Sequence, residues 1–432
     1  MPPSETLSTL EALRRGDLSG ARALRLPGLR EFPREIFGLS DTLELLDLGN
    51  GALGALPDDI GCLKKLRVLF CSNNNFARLP PALGDCAELR LIGFRKSGLS
   101  EVPGEALPPR LRWLTLTDNA IERLPDALGA RPDLQKLMLA GNRLDTLPEG
   151  LAGAASLELI RLSANRFERL PAWLHALPSL AWISWSANPC ARDPGAGDAR
   201  RAPWSQLAIG PLLGEGASGR VHAAEWRTDD EAARPVALKL FKSAMTSDGL
   251  PAHEMAACLA AGEHPHLMSA LGRLTEHPRG MDALLMPLAP AHWRPLADPP
   301  SLESCSRDVY DPGLRFSAEA ARRLLRGIAG ATAHLHERGL MHGDLYAHNI
   351  MWDGARGDAT LTDFGAACAL PLDDENVDWR RIETRAFGLL ATEILERRPP
   401  DAELSSLHKL AHDCTQPDVR ARPLMEEVAR AV

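Results

Sequence analysis

The chain has 432 residues, of which 45% are hydrophobic, so it can bury more than one packed core. Its formal net charge of −8 argues against nucleic acid or an acidic membrane surface as the main partner. The sequence has no run of about 20 apolar residues that could span a membrane, and its N-terminus lacks the apolar segment of a signal peptide.

The first 20 residues are predicted to form a capping helix. Leu7, Leu10 and Leu13 recur at helical spacing, and Gly16 follows them as a stop signal. The next stretch, 21–39, carries a degenerate version of a leucine pattern that becomes regular further along the chain. A stack of repeats needs a cover at its end, because each repeat buries its face only against its neighbours.

A leucine-rich pattern then recurs at intervals of 22 or 23 residues. Its leading positions are Leu43, Leu66, Leu89, Leu111, Leu134, Leu157 and Leu180. Alternate leucines in each unit predict a short strand with inward apolar side chains, and an Asn at the following turn can hydrogen-bond to neighbouring backbone. These asparagines are Asn74, Asn119, Asn142, Asn165 and Asn188.

The pattern resembles a leucine-rich repeat array of the short bacterial type. The resemblance implies an α/β solenoid, which we assign to residues 21–190. Side chains at the third and fifth positions of each unit are predicted to line its concave face. The candidates there for binding a protein substrate or partner are Phe70, Trp113, Met138 and Trp182, because aromatic residues are typical interface anchors. The alternative is that this column packs sideways against its neighbours.

Residues 191–204 are rich in Gly, Ala, Pro and Arg and have no apolar periodicity. This composition predicts a linker. A segment with a different pattern follows it, over residues 205–432.

Five short motifs follow one another in this second segment. They are a glycine loop with Gly214, Gly216, Gly219 and Val221; Val236-Ala237-Leu238-Lys239; Glu254; His342-Gly343-Asp344 with Asn349; and Asp363-Phe364-Gly365. A glycine loop alone is a weak signal, whereas all five in this order form a specific one. The segment resembles a eukaryotic-type protein kinase domain. The resemblance implies an α+β bilobal fold with ATP and Mg²⁺ as substrate and cofactor.

The resemblance also implies a role for each motif residue. Asp344 would accept or orient the proton of the substrate hydroxyl. Lys239 would contact the α- and β-phosphates and be held by Glu254, and Asn349 and Asp363 would be the Mg²⁺ ligands. The residues expected at the nucleotide are Leu213, Gly214, Gly216, Gly219, Val221, Ala237, Lys239, Glu254 and Met286.

The segment departs from the family pattern around its activation loop. Gly343 stands where the family usually has an Arg that receives a phosphate, and no Ser, Thr or Tyr lies between Asp363 and Thr384. We therefore expect that loop phosphorylation does not switch the enzyme, while charge effects remain open through Asp373, Asp374, Glu375 and Asp378. The activation segment is short and lacks the Ala-Pro-Glu motif that normally helps to dock peptides. The partner of Arg422, which the family pairs with that Glu, is not evident.

The acceptor is not readable from the catalytic loop. Tyr346 and His348 stand where serine/threonine and tyrosine kinases carry Lys or Arg. The favoured interpretation is a protein serine/threonine kinase whose repeats recruit substrate or partner in place of the lost docking surface. The alternatives are a small-molecule kinase, since His342-Gly343-Asp344 with Asn349 also resembles the loop of aminoglycoside phosphotransferases, and a nucleotide-binding scaffold without catalysis.

The cysteines bear on the cellular compartment. All eight are irregularly spaced and none forms a CxxC pair, so a disulfide framework or a zinc site is not expected. We expect a reducing, cytoplasmic setting, and delivery as a secreted effector stays open.

Overall fold

The computed structural model describes residues 3–195, 200–216, 218–228, 232–242, 245–371, 377–398 and 404–432. The chain divides into two compact units, Met1–Ser179 and Leu180–Val432. The division falls inside the last predicted repeat, so the strand of that repeat lies in the second unit. Within the described ranges, the structure has no helix with both the length and the apolar character needed to cross a bilayer.

The first unit begins with helix α1 and continues as a stack of parallel strands in chain order. Each strand is three residues long, and neighbouring repeats pair in register, as Leu46 does with Leu69. The elements are α1 (Pro3–Arg15), β1 (Ala23–Arg25), β2 (Leu45–Asp47), β3 (Val68–Phe70), β4 (Leu91–Gly93), β5 (Trp113–Thr115), β6 (Lys136–Met138) and β7 (Leu159–Arg161). This arrangement confirms the predicted leucine-rich repeat solenoid.

Leucines and an asparagine ladder hold the repeats together. The leading leucines, such as Leu66 and Leu134, are fully buried. In the turn after β6, the Asn142 amide donates to the carbonyl oxygens of Leu116 and Leu139, both at 2.9 Å. Its oxygen accepts the Ile121 N–H at 3.1 Å. Asn142 therefore bonds its repeat to the preceding one, as predicted for the asparagines at this turn.

The second unit contains a six-stranded sheet in the order β10-β11-β12-β14-β13-β9. Its core is apolar, with Trp226, Val236 and Leu285 almost completely buried. The elements up to this point are β8 (Trp182–Ser184), β9 (Arg201–Pro203), β10 (Leu207–Glu215), β11 (Gly219–Trp226), β12 (Arg234–Phe241), α2 (Pro251–Ala260), β13 (Gly272–Thr275) and β14 (Ala283–Pro287).

The structure differs from the predicted linker at its C-terminal end. Arg201–Pro203 forms β9, which pairs in parallel with β13, and Ala202 is fully buried beneath it. The small Ala202 side chain packs into the sheet core, a contact that the absence of apolar periodicity could not reveal.

The remainder of the second unit is mainly helical. Its two long helices carry many buried residues, and a three-stranded and a two-stranded sheet accompany them. The elements are β15 (Arg294–Pro295), α3 (Ala318–Glu337), β16 (Leu340–Met341), β17 (Ile350–Trp352), β18 (Ala359–Leu361), β19 (Cys368–Ala369), α4 (Arg380–Glu396), α5 (Ser405–Cys414) and α6 (Met425–Ala431).

Candidate active site

A cavity of about 200 Å³ lies where the sheet of the second unit meets the Asp363 segment. Strands β11, β12 and β14 and helix α2 contribute to its walls. It brings together five residues that the sequence predicts for nucleotide or metal binding, namely Val221, Lys239, Glu254, Met286 and Asp363.

The other predicted nucleotide residues lie on β10, β11 and β12 and in the loop between β10 and β11, outside the lining of this cavity. Gly214 pairs with Val221 in the β10–β11 register, and Ala237 pairs with Met286. Leu213 is 53% exposed at the end of β10. The glycine loop is tied back by Lys242, whose Nζ donates to the Gly216 carbonyl at 2.9 Å, and Gly219 begins β11. Ala217, also in this loop, lies outside the described residues.

Lys239 and Glu254 form an ion pair inside the cavity. Strand β12 carries the Lys and helix α2 carries the Glu, and both side chains are largely buried. Burial alone would lower the pKa of Lys239, but the carboxylates of Glu254 and Asp363 raise it above its usual value. The ammonium is therefore held in its charged form, beside the carboxylate of Glu254.

Asp344 is held by Asn349 in the loop between β16 and β17. The Asn349 amide donates to the Asp344 carboxylate at 2.8 Å and to its carbonyl at 2.9 Å. Thr362 in turn donates to the Asn349 carbonyl from its backbone N–H at 2.8 Å and its hydroxyl at 2.9 Å. These bonds join the Asp344 loop to the residue that precedes Asp363.

Asp363 and Asn349 fit a hard divalent cation. Asp363 is exposed and has a left-handed backbone with φ 58°, and one of its carboxylate oxygens accepts the Gly365 N–H at 3.0 Å. Its other oxygen and the amide oxygen of Asn349 accept no hydrogen bond from any described residue. Carboxylate and amide oxygens are the donors that Mg²⁺ prefers.

A buried carboxylate that the sequence analysis missed supports the Asp344 loop. Glu383, on α4, accepts the backbone N–H of Gly343 at 2.6 Å and that of His342 at 3.2 Å. His336 contacts the same carboxylate at 2.8 Å. Burial raises the pKa of the Glu383 carboxyl, but these partners outweigh burial and bring that pKa below its usual value. No sequence spacing marks this contact, because it joins residues about 40 positions apart through the tertiary fold.

A second carboxylate fixes the far side of the same loop. Asp308 accepts from the His348 backbone N–H at 3.1 Å, and the His348 ring contacts its other oxygen at 2.7 Å. Burial lowers the pKa of His348, but the Asp308 carboxylate outweighs it and raises that pKa above 6.5. His348 therefore takes its orientation from Asp308.

The departures from the family pattern have structural explanations. Gly343 has φ +73°, and a Cβ there would lie 2.6 Å from the carbonyl oxygens of Ala366 and Ile183, so an Arg does not fit. Asp378 bonds with Arg380 at 2.8 Å, while Asp373, Asp374 and Glu375 lie outside the described residues.

Arg422 is fully buried and bonds to backbone oxygen atoms. It donates to the carbonyl groups of Gln416 at 2.8 Å and Arg381 at 3.2 Å. Burial lowers the pKa of Arg422 to about 9. Two backbone carbonyls are thus among the partners of the Arg422 guanidinium.

Two of the four predicted partner-binding residues are not available on the repeat face. Trp182 is 2% exposed and lies in the second unit, where its ring stacks on Tyr346, so its prediction is wrong. Met138 is 6% exposed, which fits sideways packing. Phe70 and Trp113 are half-buried, and Lys136 lies 4.1 Å from the Trp113 ring centroid.

Comparison with known proteins agrees with this geometry. Residues 207–405 match the family model for the protein kinase domain, and residues 65–86 and 109–167 match leucine rich repeat models. The chain carries leucine-rich repeats followed by a protein kinase domain. Helix α4 and the β16–β17 loop lie within the kinase match, and β8 lies before it.

Relatives of the kinase domain include plant and animal proteins. A putative cyclin-dependent kinase F-2 of rice (Oryza sativa subsp. japonica) is 29% identical over 51% of this chain and 72% of its own. The rice CBL-interacting protein kinase 22 is 30% identical, over 41% of this chain and 40% of its own. The human non-receptor tyrosine-protein kinase TNK1 is 30% identical, over 38% of this chain and 23% of its own. These names include a tyrosine-protein kinase, so the matches leave the acceptor hydroxyl open.

Proposed function

We propose that the second unit transfers the γ-phosphoryl group of ATP to a serine or threonine hydroxyl of a protein. The observation that carries the proposal is the Lys239–Glu254 ion pair in one cavity with Asp363, joined through Thr362 to the Asn349–Asp344 pair. Phosphoryl transfer needs mainly positioning and charge neutralisation, and this arrangement supplies a fixed cation, two oxygen donors and a positioned carboxylate.

The residues divide the work by their chemistry. Lys239 would bind the α- and β-phosphates, and Val221, Ala237 and Met286 would contact the base. Asn349 and Asp363 would hold Mg²⁺, which neutralises phosphate charge when bound. Asp344, kept in place by the Asn349 amide, would orient the acceptor hydroxyl and accept its proton. The eight free cysteines favour a cytoplasmic setting for this activity.

Label from γ-labelled ATP identifies the acceptor. The full chain is incubated with Mg²⁺ and generic protein substrates, and labelled protein is hydrolysed to its phosphoamino acids. Phosphoserine or phosphothreonine supports the proposal, whereas phosphotyrosine alone contradicts the acceptor. ADP release that requires an added small hydroxyl compound, with no labelled protein, indicates the small-molecule kinase. Nucleotide binding without any turnover indicates the scaffold.

We further propose that the repeat face recruits the protein substrate or partner. Phe70 on β3 and Trp113 on β5 are half-buried large rings of the first unit's sheet, with β4 between their strands. Aromatic residues of this kind anchor interfaces. The Phe70→Ala/Trp113→Ala variant should lower phosphorylation of the physiological partner at least about tenfold while leaving transfer to a generic peptide unchanged. Lys64→Ala, at an exposed residue next to the Ile60–Cys62 turn, is the matched control. Unchanged partner phosphorylation in the double variant would refute this role.

A further inference from the structure

Strand β8 is buried although it precedes the kinase match. Trp182 is 2% exposed, and Ile183, Ser184 and Trp185 are completely buried. The strand has the sequence pattern of a last leucine-rich repeat, yet it belongs to the compact unit that begins at Leu180. The residues that contact β8 within the second unit therefore indicate its structural role.

Trp182 contacts the two residues that follow Asp344. Its ring stacks on Tyr346 with the ring centroids 4.1 Å apart and an interplanar angle of 8°. Its indole Nε1–H donates to the Leu345 carbonyl at 3.1 Å. The Trp182 side chain thus contacts both the Tyr346 ring and the Leu345 carbonyl. The two contacts together fix the position and the orientation of the catalytic loop.

The backbone of β8 also touches the residue that precedes Asp344. A Cβ at Gly343 would lie 2.6 Å from the Ile183 carbonyl oxygen, so these two backbones are packed without room for a side chain. Asp344 consequently sits between two residues that β8 contacts, Gly343 on one side and Leu345 on the other. The glycine in place of the family's Arg is the residue that lets β8 come this close.

The C-terminal end of β8 and the residue after it contact other parts of the same unit. The Ser184 hydroxyl donates to the Asp248 carbonyl at 3.3 Å. The Trp185 ring lies 5.3 Å from that of Trp379, immediately before helix α4. Helix α4 carries Glu383, which binds the N–H groups of His342 and Gly343. The catalytic loop is therefore held from one side by α4 and from another by β8.

We propose that β8 is a working part of the kinase active site and that Trp182 is a positioning residue for phosphoryl transfer. The stack and the Nε1–H···O bond keep Leu345 and Tyr346 in the conformation that presents Asp344 to the acceptor hydroxyl. A displacement of about 1 Å of a reacting group can cost about 100-fold in rate. This inference rests on the proposed kinase activity.

The test compares full-length variants. Trp182→Leu removes the stack and the donor, and we expect kcat to fall at least about tenfold while KM for ATP stays within about twofold, since the nucleotide cavity is lined by other residues. Trp182→Phe keeps a ring on Tyr346 and should recover most of the rate. Trp226→Leu removes an equally buried Trp from the sheet core and should lower Tm without this loss of kcat per folded molecule.

Hydrogen exchange gives a readout that needs no activity. The backbone amides of Gly343 to Tyr346 should exchange at least about tenfold faster in Trp182→Leu than in wild type, and not in Trp226→Leu. If Trp182→Leu does not fold, the same comparison is made with Trp182→Met, which keeps an apolar side chain in this buried position but also removes the stack and the donor. A wild-type rate and wild-type exchange in folded Trp182→Leu would overturn the inference. A wild type that transfers no phosphate, but whose loop exchange depends on Trp182, would instead refute the proposed function alone.

Discussion

Gly343 shows how closely the Asp344 loop is packed. Its left-handed backbone and the two carbonyl oxygens at 2.6 Å from a notional Cβ give a side chain there both a conformational and a steric cost. We expect Gly343→Ala to lower the free energy of unfolding by about 3 kcal/mol, measured by urea denaturation.

Gly280 provides a matched control for that substitution. It has φ +66° and open space around its Cβ position, so Gly280→Ala carries the conformational cost without the clash. The difference between the two variants measures how tightly Ile183 and Ala366 enclose Gly343. Equal losses of unfolding free energy in Gly343→Ala and Gly280→Ala would mean that the close packing around Gly343 contributes nothing to the cost.

Glu393 gives the stability a pH dependence. Burial raises its pKa to about 7, although the Tyr310 hydroxyl donates to it at 2.9 Å. Because the unfolded carboxyl titrates near 4.5, the folded protein holds more protons between these values. The contribution of this group to stability is therefore lost as pH rises from about 4.5 to 7.

The Glu393→Gln variant removes this titration. It should be more stable than wild type at pH 8, by up to about 3 kcal/mol, and should show no such gain at pH 5. Thermal unfolding across that range measures the effect. Glu396→Gln, at an exposed position on the same helix, should follow the wild-type profile, and an unchanged profile in Glu393→Gln would contradict the assignment.

At the scale of elements, the asparagine ladder is the main polar support of the repeats. Asn142 is buried and makes three hydrogen bonds to the backbone of neighbouring segments. Asn142→Ala leaves the Ile121 N–H without a partner and removes one of two asparagine donors from the Leu116 and Leu139 carbonyls, so we expect the first unit to lose about 2 kcal/mol of unfolding free energy. Urea unfolding followed by circular dichroism measures it.

Serine is the natural comparison at such a position. The Ser97 hydroxyl already replaces an Asn in one repeat and donates to the Cys71 carbonyl at 3.0 Å. Asn142→Ser should therefore lose less than Asn142→Ala. If the two variants were equally stable, the side-chain bonds would not be what joins the repeats.

The sequence predicted the features that follow from local residue patterns. It did not predict the contacts that depend on the tertiary fold. Leucine spacing predicted every strand of the solenoid, and the motif order predicted the Lys239–Glu254 pair. The Glu383–Gly343 contact has no such signal, because any acidic residue on α4 could have faced the solvent. For Trp182, the alternation of side chains along the strand predicted the face on which the ring lies. The repeat pattern gives no information about the Tyr346 ring that covers this face.

At the scale of the molecule, the kinase unit extends further towards the N-terminus than its motifs suggest. A fragment 180–432 keeps β8 and β9, whereas a fragment 205–432 leaves Tyr346, Trp379 and strand β13 without these partners. We expect the longer fragment to have the higher Tm by several degrees, by differential scanning calorimetry. Equal Tm values would show that the two strands add nothing to this unit.

The most direct test of the account is the rate of phosphate transfer from γ-labelled ATP to protein in full-length wild type and Asp344→Asn. We expect at least about a 100-fold lower kcat in the variant, with nucleotide binding retained because Lys239 and Glu254 are unchanged. Asp282→Asn, an exposed carboxylate paired with Arg273, should transfer phosphate as wild type does. An Asp344→Asn rate within about twofold of wild type would contradict the assignment of this loop as the catalytic centre.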